Sequence, residues 1–207
     1  MIVAAVPVAL IGEAVRESGL FDSLGNFLLV PVIFITAFIF FPVLEELAKY
    51  LVIRLKIIAH SEFDEPVDAM IYMIIAALGL AAAENLLKLT PYLWGEIVDP
   101  GPFWFAITRF TGATILHALC SGLVGYYLAM SIFNLKNRVK LILKGLLIAM
   151  ALHGLFNFFM LKIIESIRQE QLSATFFTAY VVLLVVMAVF LSRGFKKVKK
   201  LKSVCQI

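Results

Sequence analysis

Several side chains that can carry charge or a strong hydrogen bond fall inside apolar runs of this sequence. Glu45, Glu46 and Lys49 lie in one run, Glu84 and Asn85 in a second, Arg109 and His117 in a third, and His153 and Asn157 in a fourth. A charged group deep in hydrocarbon costs at least ~2.5–3.5 kcal/mol on insertion scales, so such residues point to function unless they neutralise one another. Their types suit hydrolysis. A glutamate takes a proton from water, the water attacks a carbonyl, and imidazole or amide donors hold the oxyanion. Spacing supports a shared site: His153 and Asn157 are four apart and face one way, as do Glu45 and Lys49.

The same residue types can bind metal. Glu45, Glu46, His117 and His153 are acceptable zinc ligands, and bound zinc brings the pKa of water toward ~7. The sequence lacks HExxH, so spacing does not favour zinc specifically. The expected cofactor is therefore none or a divalent metal such as zinc, and glutamate chemistry is preferred because a carboxylate alone can serve as the base. Ser121, four residues after His117, has no nucleophile elbow or SxxK pattern beside it and reads as a small packing residue. Arg109 and Lys88 read as residues that snorkel to an interface. Gly122, Gly125 and Gly154 permit close helix packing.

The elements that must position these groups are membrane helices. The chain has 207 residues, 62% hydrophobic and 15% charged. Its mean hydropathy is +1.00. A soluble domain is only about half apolar. The expected fold is all-α: a polytopic transmembrane bundle with about five full spans and a short N-terminal apolar segment. The spans are Phe27–Leu55, Pro66–Leu89, Phe103–Ile132, Leu141–Ile164 and Leu172–Arg193. Pro66 suits a first helical turn, the acidic stretch before it suits a helix N-terminus, and Pro91 marks the stop of the second helix. Pro91 to Pro102, with three prolines and two glycines, reads as a loop. Met1 to Ile11 is shorter than the ~20 residues needed to span. It is either half-embedded or the remainder of a first helix.

A rise of 1.5 Å per residue puts Glu45 and His153 roughly 14 Å from the basic end of their helices and His117 and Asn157 roughly 20 Å from it, with Glu84 deeper. The chain reads as one domain over residues 1–207. Its basic residues gather on one side, at Arg54 and Lys56, from Lys136 to Lys144, and in the tail from about 194 to 207, so that side is expected to be cytoplasmic in a multi-pass cell-membrane protein. The formal charge of +4 sits beside apolar segments. That arrangement favours anionic lipid as the partner and sets nucleic acid aside. Cys120 and Cys205 share no disulfide or zinc spacing and are expected to stay reduced.

The stretches FFPVLEELAKYLV from Phe40, EFDEPVDAMIYMIIAALGLAAAENLL from Glu62, LHALCSGLVGYYLA from Leu116 and ALHGLFNFFM from Ala151 resemble the PrsW family of intramembrane proteases. That family is related in motif pattern to the type II CAAX prenyl proteases and bacteriocin-processing enzymes. The resemblance implies a multi-helical hydrolase that cuts membrane-embedded or membrane-tethered proteins, with anti-sigma-factor processing as the family's named role. It carries Glu45 and Glu46 onto the double glutamate and Lys49 onto the base that follows. Glu84 and Asn85 match the EN pair, and His117 and His153 the two histidines. Asn157 stands where some members have Asp.

On this reading Glu45 or Glu46 is the general base, His117 and His153 stabilise the oxyanion or bind metal, and Asn157 supplies a hydrogen bond, with Lys49, Glu84 and Asn85 in support. Two alternatives compete: a CAAX-type or bacteriocin-related peptidase, and a small transporter or scaffold that uses the buried carboxylates as a relay.

Overall fold

A computed structural model describes residues 35–93, 109–169 and 173–201, with residue 14 and residues 17–19 before them. The N-terminal apolar segment and the start of the first expected span lie outside the described residues. So do most of the expected loop after Pro91 and the start of the third span. No strand occurs among the described residues. A π-helical turn, Ile35–Phe40, leads into α1, Phe41–Lys56. Helix α2 is Pro66–Leu93, and a second π-helical turn, Arg109–Ala113, leads into α3, Thr114–Ile132. A 3-10 turn, Leu135–Asn137, precedes α4, Arg138–Arg168, and α5 is Ala174–Val198. Helices α2 to α5 are each long and apolar enough to cross a membrane.

Helix α1 inverts the pattern of a soluble amphipathic helix. Its buried stripe is Pro42, Glu45, Glu46, Lys49 and Ile53. Its exposed stripe is Val43, Leu47, Leu51 and Leu55, spaced by four, and Ile39 in the preceding turn continues it. This is the arrangement lipid demands, because polar groups must face protein while hydrocarbon solvates the other side. At the start of α2, Asp68 Oδ2 accepts hydrogen bonds from the backbone N–H of Glu65 at 2.8 Å and of Asp64 at 3.2 Å. That is the returning half of a capping box, with Pro66 in the first turn where its missing N–H costs nothing.

Pro91 does not stop α2, which runs on to Leu93. A proline this near a helix end removes one hydrogen bond, and the helix closes within a turn anyway. Helix α4 extends beyond the expected Leu141–Ile164 at both ends, and α5 beyond Arg193 to Val198. Hydropathy locates the hydrocarbon crossing, whereas lysines and glutamates, good helix formers, carry the hydrogen-bond ladder into the interface. One example is the Lys162–Glu165 ion pair at 2.8 Å on α4.

A close backbone approach joins α2 and α3. A Cβ on Gly125 would stand 2.6 Å from both the Ala69 carbonyl oxygen and Met70 Cα, so only glycine lets these backbones meet. Met70, Met73, Leu116, Val124 and Leu128, from the same two helices, are buried in the core. Helix α5 is mostly peripheral: Val182, Val185, Val186, Val189 and Phe190 are exposed, as suits a lipid-facing span. At the basic end of the bundle Lys144 lies over the Tyr127 ring and Lys197 over the Tyr126 ring, at 5.6 and 5.8 Å.

Candidate active site

Helices α1 to α4 each bring polar residues to one interior pocket. Helical spacing stacks Glu46 and Lys49 one turn apart on α1, and Lys49 Nζ donates to Glu46 Oε1 at 2.5 Å. From α4, His153 Nδ1 lies 2.9 Å from the same Glu46 oxygen. From α3, Ser121 Oγ donates to Glu46 Oε2 at 3.4 Å, and His117 Nδ1 lies 3.2 Å from Lys49 Nζ. From α2, Glu84 Oε2 lies 3.1 Å from His117 Nε2. The imidazoles of His117 and His153 meet edge to face, with centroids 5.0 Å apart. Four helices thus bring together seven side chains: Glu45, Glu46, Lys49, Glu84, His117, Ser121 and His153.

The two adjacent glutamates differ in surroundings. Glu46 is fully buried and its two oxygens are met by Lys49, His153 and Ser121. Glu45 is also buried, yet among the described residues its Oε2 has no hydrogen-bond partner. That oxygen faces His153 Nε2 at 3.7 Å and His117 Nε2 at 3.9 Å. A buried carboxylate oxygen without a donor is costly, and native structures keep one where a water, an ion or a substrate is to be met.

Glu45, His117 and His153 offer one ligand atom each, all within 4.8 Å of one another. Ligands on a tetrahedral zinc with bonds of roughly 2.0–2.2 Å stand about 3.4 Å apart. Partners of one water at ~2.8 Å stand about 4.6 Å apart. The separations of 3.7 and 3.9 Å fall between these values, so spacing alone does not choose between the two guests. Glu46, the fourth candidate ligand from the sequence, stands behind His153 as the carboxylate that orients an imidazole from its far nitrogen.

Two expected site residues are engaged elsewhere. Asn157 Nδ2 donates to the Ala37 carbonyl at 2.8 Å, on the π-helical turn before α1. Asn85 Nδ2 donates to Thr114 Oγ1 at 3.3 Å, joining α2 to the start of α3. Lys88, expected to snorkel, pairs with Glu84 one turn away and is half exposed. Ser121, read from sequence as a packing residue, is a donor to Glu46. Its position four residues after His117 was the available signal, since that spacing aims both at one neighbour.

The comparisons with known proteins agree with this architecture. Protease PrsW of Geobacillus kaustophilus is 33% identical over 125 residues, 60% of this chain and 52% of the relative. Protease PrsW of Oceanobacillus iheyensis is 30% identical over 153 residues, 74% and 63% of the two chains. Protease PrsW of Bacillus subtilis is 32% identical over 126 residues, 60% and 54%. The chain thus spans between about half and under two thirds of the length of these curated relatives. No solved structure matches. Residues 1–192 match the family described as PrsW family intramembrane metalloprotease, and the chain, a multi-helical membrane protein, belongs to that family.

Proposed function

We propose that this protein is an intramembrane endopeptidase in which Glu45 activates the attacking water. The observation that carries the reading is the orphaned Oε2 of Glu45, buried between the Nε2 atoms of His117 and His153. Glu45 takes a proton from a water held in that gap while the water oxygen bonds to the scissile carbonyl carbon. The carbonyl oxygen gains negative charge and is met by a ring N–H. As the tetrahedral intermediate collapses, the C–N bond breaks and the proton on Glu45 passes to the leaving amine. Glu46, Lys49 and Ser121 hold the imidazoles and the helix in register.

The family's description as metalloproteases, and the fit of the three donors, support a second reading of the same pocket. Glu45, His117 and His153 would hold a divalent ion such as zinc, which would supply Lewis acidity and an acidified water. The substrate class we favour is a single-pass or membrane-tethered protein of the anti-sigma-factor kind, because the catalytic groups lie at bilayer depth. A prenylated or leader-bearing peptide would instead need a wide lipid-facing gap beside them. The basic tail side is assigned to the cytoplasm.

The test is cleavage of a transmembrane reporter by protein reconstituted in liposomes. Glu45→Gln should lower kcat by at least ~10²-fold, the scale of a lost general base. Wild-type activity that survives a strong chelator supports the glutamate reading, whereas loss restored by zinc alone supports the metal reading. Full activity in Glu45→Gln would falsify both. Cleavage of a prenylated peptide, with none of the transmembrane reporter, reassigns the substrate. Ion flux without proteolysis returns the protein to the transporter class.

A further inference from the structure

We propose that Lys49 is a positioning residue that holds His117 with its ring hydrogen on Nε2, so that the two pocket histidines are kept in opposite tautomers, His117 a donor and His153 an acceptor at Nε2. A neutral imidazole has one N–H and one lone pair, and which nitrogen carries hydrogen is set by what the other one meets. The lysine ammonium has three donors and no acceptor. Lys49 Nζ lies 3.2 Å from His117 Nδ1, which must therefore accept. On the far side of the ring, Glu84 Oε2 is 3.1 Å from His117 Nε2, and a carboxylate requires a donor there. The two contacts agree independently. The opposite tautomer would set N–H against ammonium and lone pair against carboxylate, two repulsive contacts in one buried ring.

His153 is read the same way with the reverse result. Its Nδ1 lies 2.9 Å from Glu46 Oε1, so that nitrogen carries hydrogen and Nε2 keeps its lone pair, facing Glu45 Oε2 at 3.7 Å. Lys49 cannot drift from its task. It is 2% exposed, and its ammonium is held at 2.5 Å by Glu46, itself fixed by His153 and Ser121. Lys49 thus decides what His117 offers the pocket, and Glu46 what His153 offers. Glu45 and His153 present two acceptors, which take both hydrogens of a water and turn its lone pairs outward. His117 presents its Nε2–H, which Glu84 Oε2 accepts at 3.1 Å and which a developing oxyanion in the gap would have to share or take over. The catalytic consequence rests on the peptidase reading above; the tautomer assignment does not.

The experiment is long-range ¹H–¹⁵N NMR of ¹⁵N-histidine-labelled full-length protein in detergent, with His60 and His153 assigned by His60→Gln and His153→Gln. In the wild type, His117 should show its hydrogen on Nε2 and His153 on Nδ1. Lys49→Arg, which still offers only donors, should keep that pattern, whereas Lys49→Met, which leaves Glu84 alone to hold the ring, should let the Nδ1–H form appear beside the Nε2–H form at His117 alone. In parallel, Lys49→Met should lower kcat by ~10²-fold with KM little changed, as for misplaced catalytic groups, and Lys49→Arg should recover much of it. A wild-type His117 protonated on Nδ1 overturns the proposal, and this reading needs no variant to fold. An unchanged His117 pattern in Lys49→Met overturns it equally. Correct tautomers in a protein without peptidase activity sink the functional reading and leave this one standing.

Discussion

Successive residues on a helix are turned about 100° apart, so Glu45 and Glu46 meet different neighbours although they adjoin in sequence. Glu46 accepts from an ammonium, an imidazole and a hydroxyl, while Glu45 keeps one oxygen without a donor. Opposite responses to the same substitution follow. Glu46→Gln places an amide N–H₂ among donors and leaves the Lys49 charge unpaired in the interior, which costs about 3–5 kcal/mol when a buried pair is broken. Glu45→Gln removes a buried charge whose Oε2 lacks a donor, and stability should hold or rise. Unfolding of the two variants in mild detergent against added denaturant checks this. If Glu45→Gln loses as much stability as Glu46→Gln, the division of labour between the glutamates is wrong. From sequence, spacing of four set Lys49 with Glu45, whereas the fold pairs it with Glu46, since a motif does not name the partners that helices α3 and α4 bring to each carboxylate. His153 and Asn157 illustrate the same limit. Spacing of four gives them a common direction, but only the fold reveals that one turn of α4 faces Glu46 and the next faces the Ala37 carbonyl.

At the level of elements, long apolar runs made the helices legible, because each has to satisfy its backbone internally to cross lipid. The π-helical turn at Ile35–Phe40 was not legible, since the choice between a four- and a five-residue hydrogen-bond step depends on what packs beside the chain. Here α4 supplies it, with Asn157 bonded to Ala37, Gly154 against the Phe38 backbone, and Phe158 edge to face with Phe38 at 5.7 Å. The glycines flagged for close packing do not all serve it equally. Gly125 faces backbone, which cannot yield, whereas a Cβ on Gly122 would meet only side chains, Leu191 at 2.7 Å first. Gly125→Ala should therefore destabilise by ~1–3 kcal/mol, the usual cost of overpacking. Leu147→Ala, on an exposed face of α4, should change stability by no more than ~0.5 kcal/mol. Thermal unfolding of both variants in one detergent is the comparison, and a harmless Gly125→Ala would mean that α2 and α3 can separate without loss.

For the whole molecule, the question is from which side water and substrate reach the buried carboxylates. Helix α2 starts at Pro66 on the side that also carries the basic tail, and Glu84 lies roughly 27 Å along it, one turn before Lys88. Glu84 is 20% exposed and Lys88 46%, whereas Glu45, Glu46, Lys49 and both pocket histidines are nearly closed off. Among the described site residues Glu84 is thus the one that reaches the surface, toward the end of α2 away from the basic segments. An exposed ammonium belongs among headgroups, because hydrocarbon cannot solvate it. If the positive-inside rule sets orientation, Lys88→Cys should react with a membrane-impermeant maleimide added to intact cells, whereas Cys205 in the basic tail should react only after permeabilisation. The wild type, with Cys120 buried, provides the background for both measurements. Labelling of Cys205 from outside, with the thiol introduced by Lys88→Cys protected, would reverse the assigned orientation and turn the Glu84 end of α2 to the cytoplasm. Because Glu45 lies roughly 14 Å from the basic end of its helix, the scissile bond of a transmembrane substrate should fall near mid-bilayer in either orientation, an outcome that mass analysis of the products reads directly.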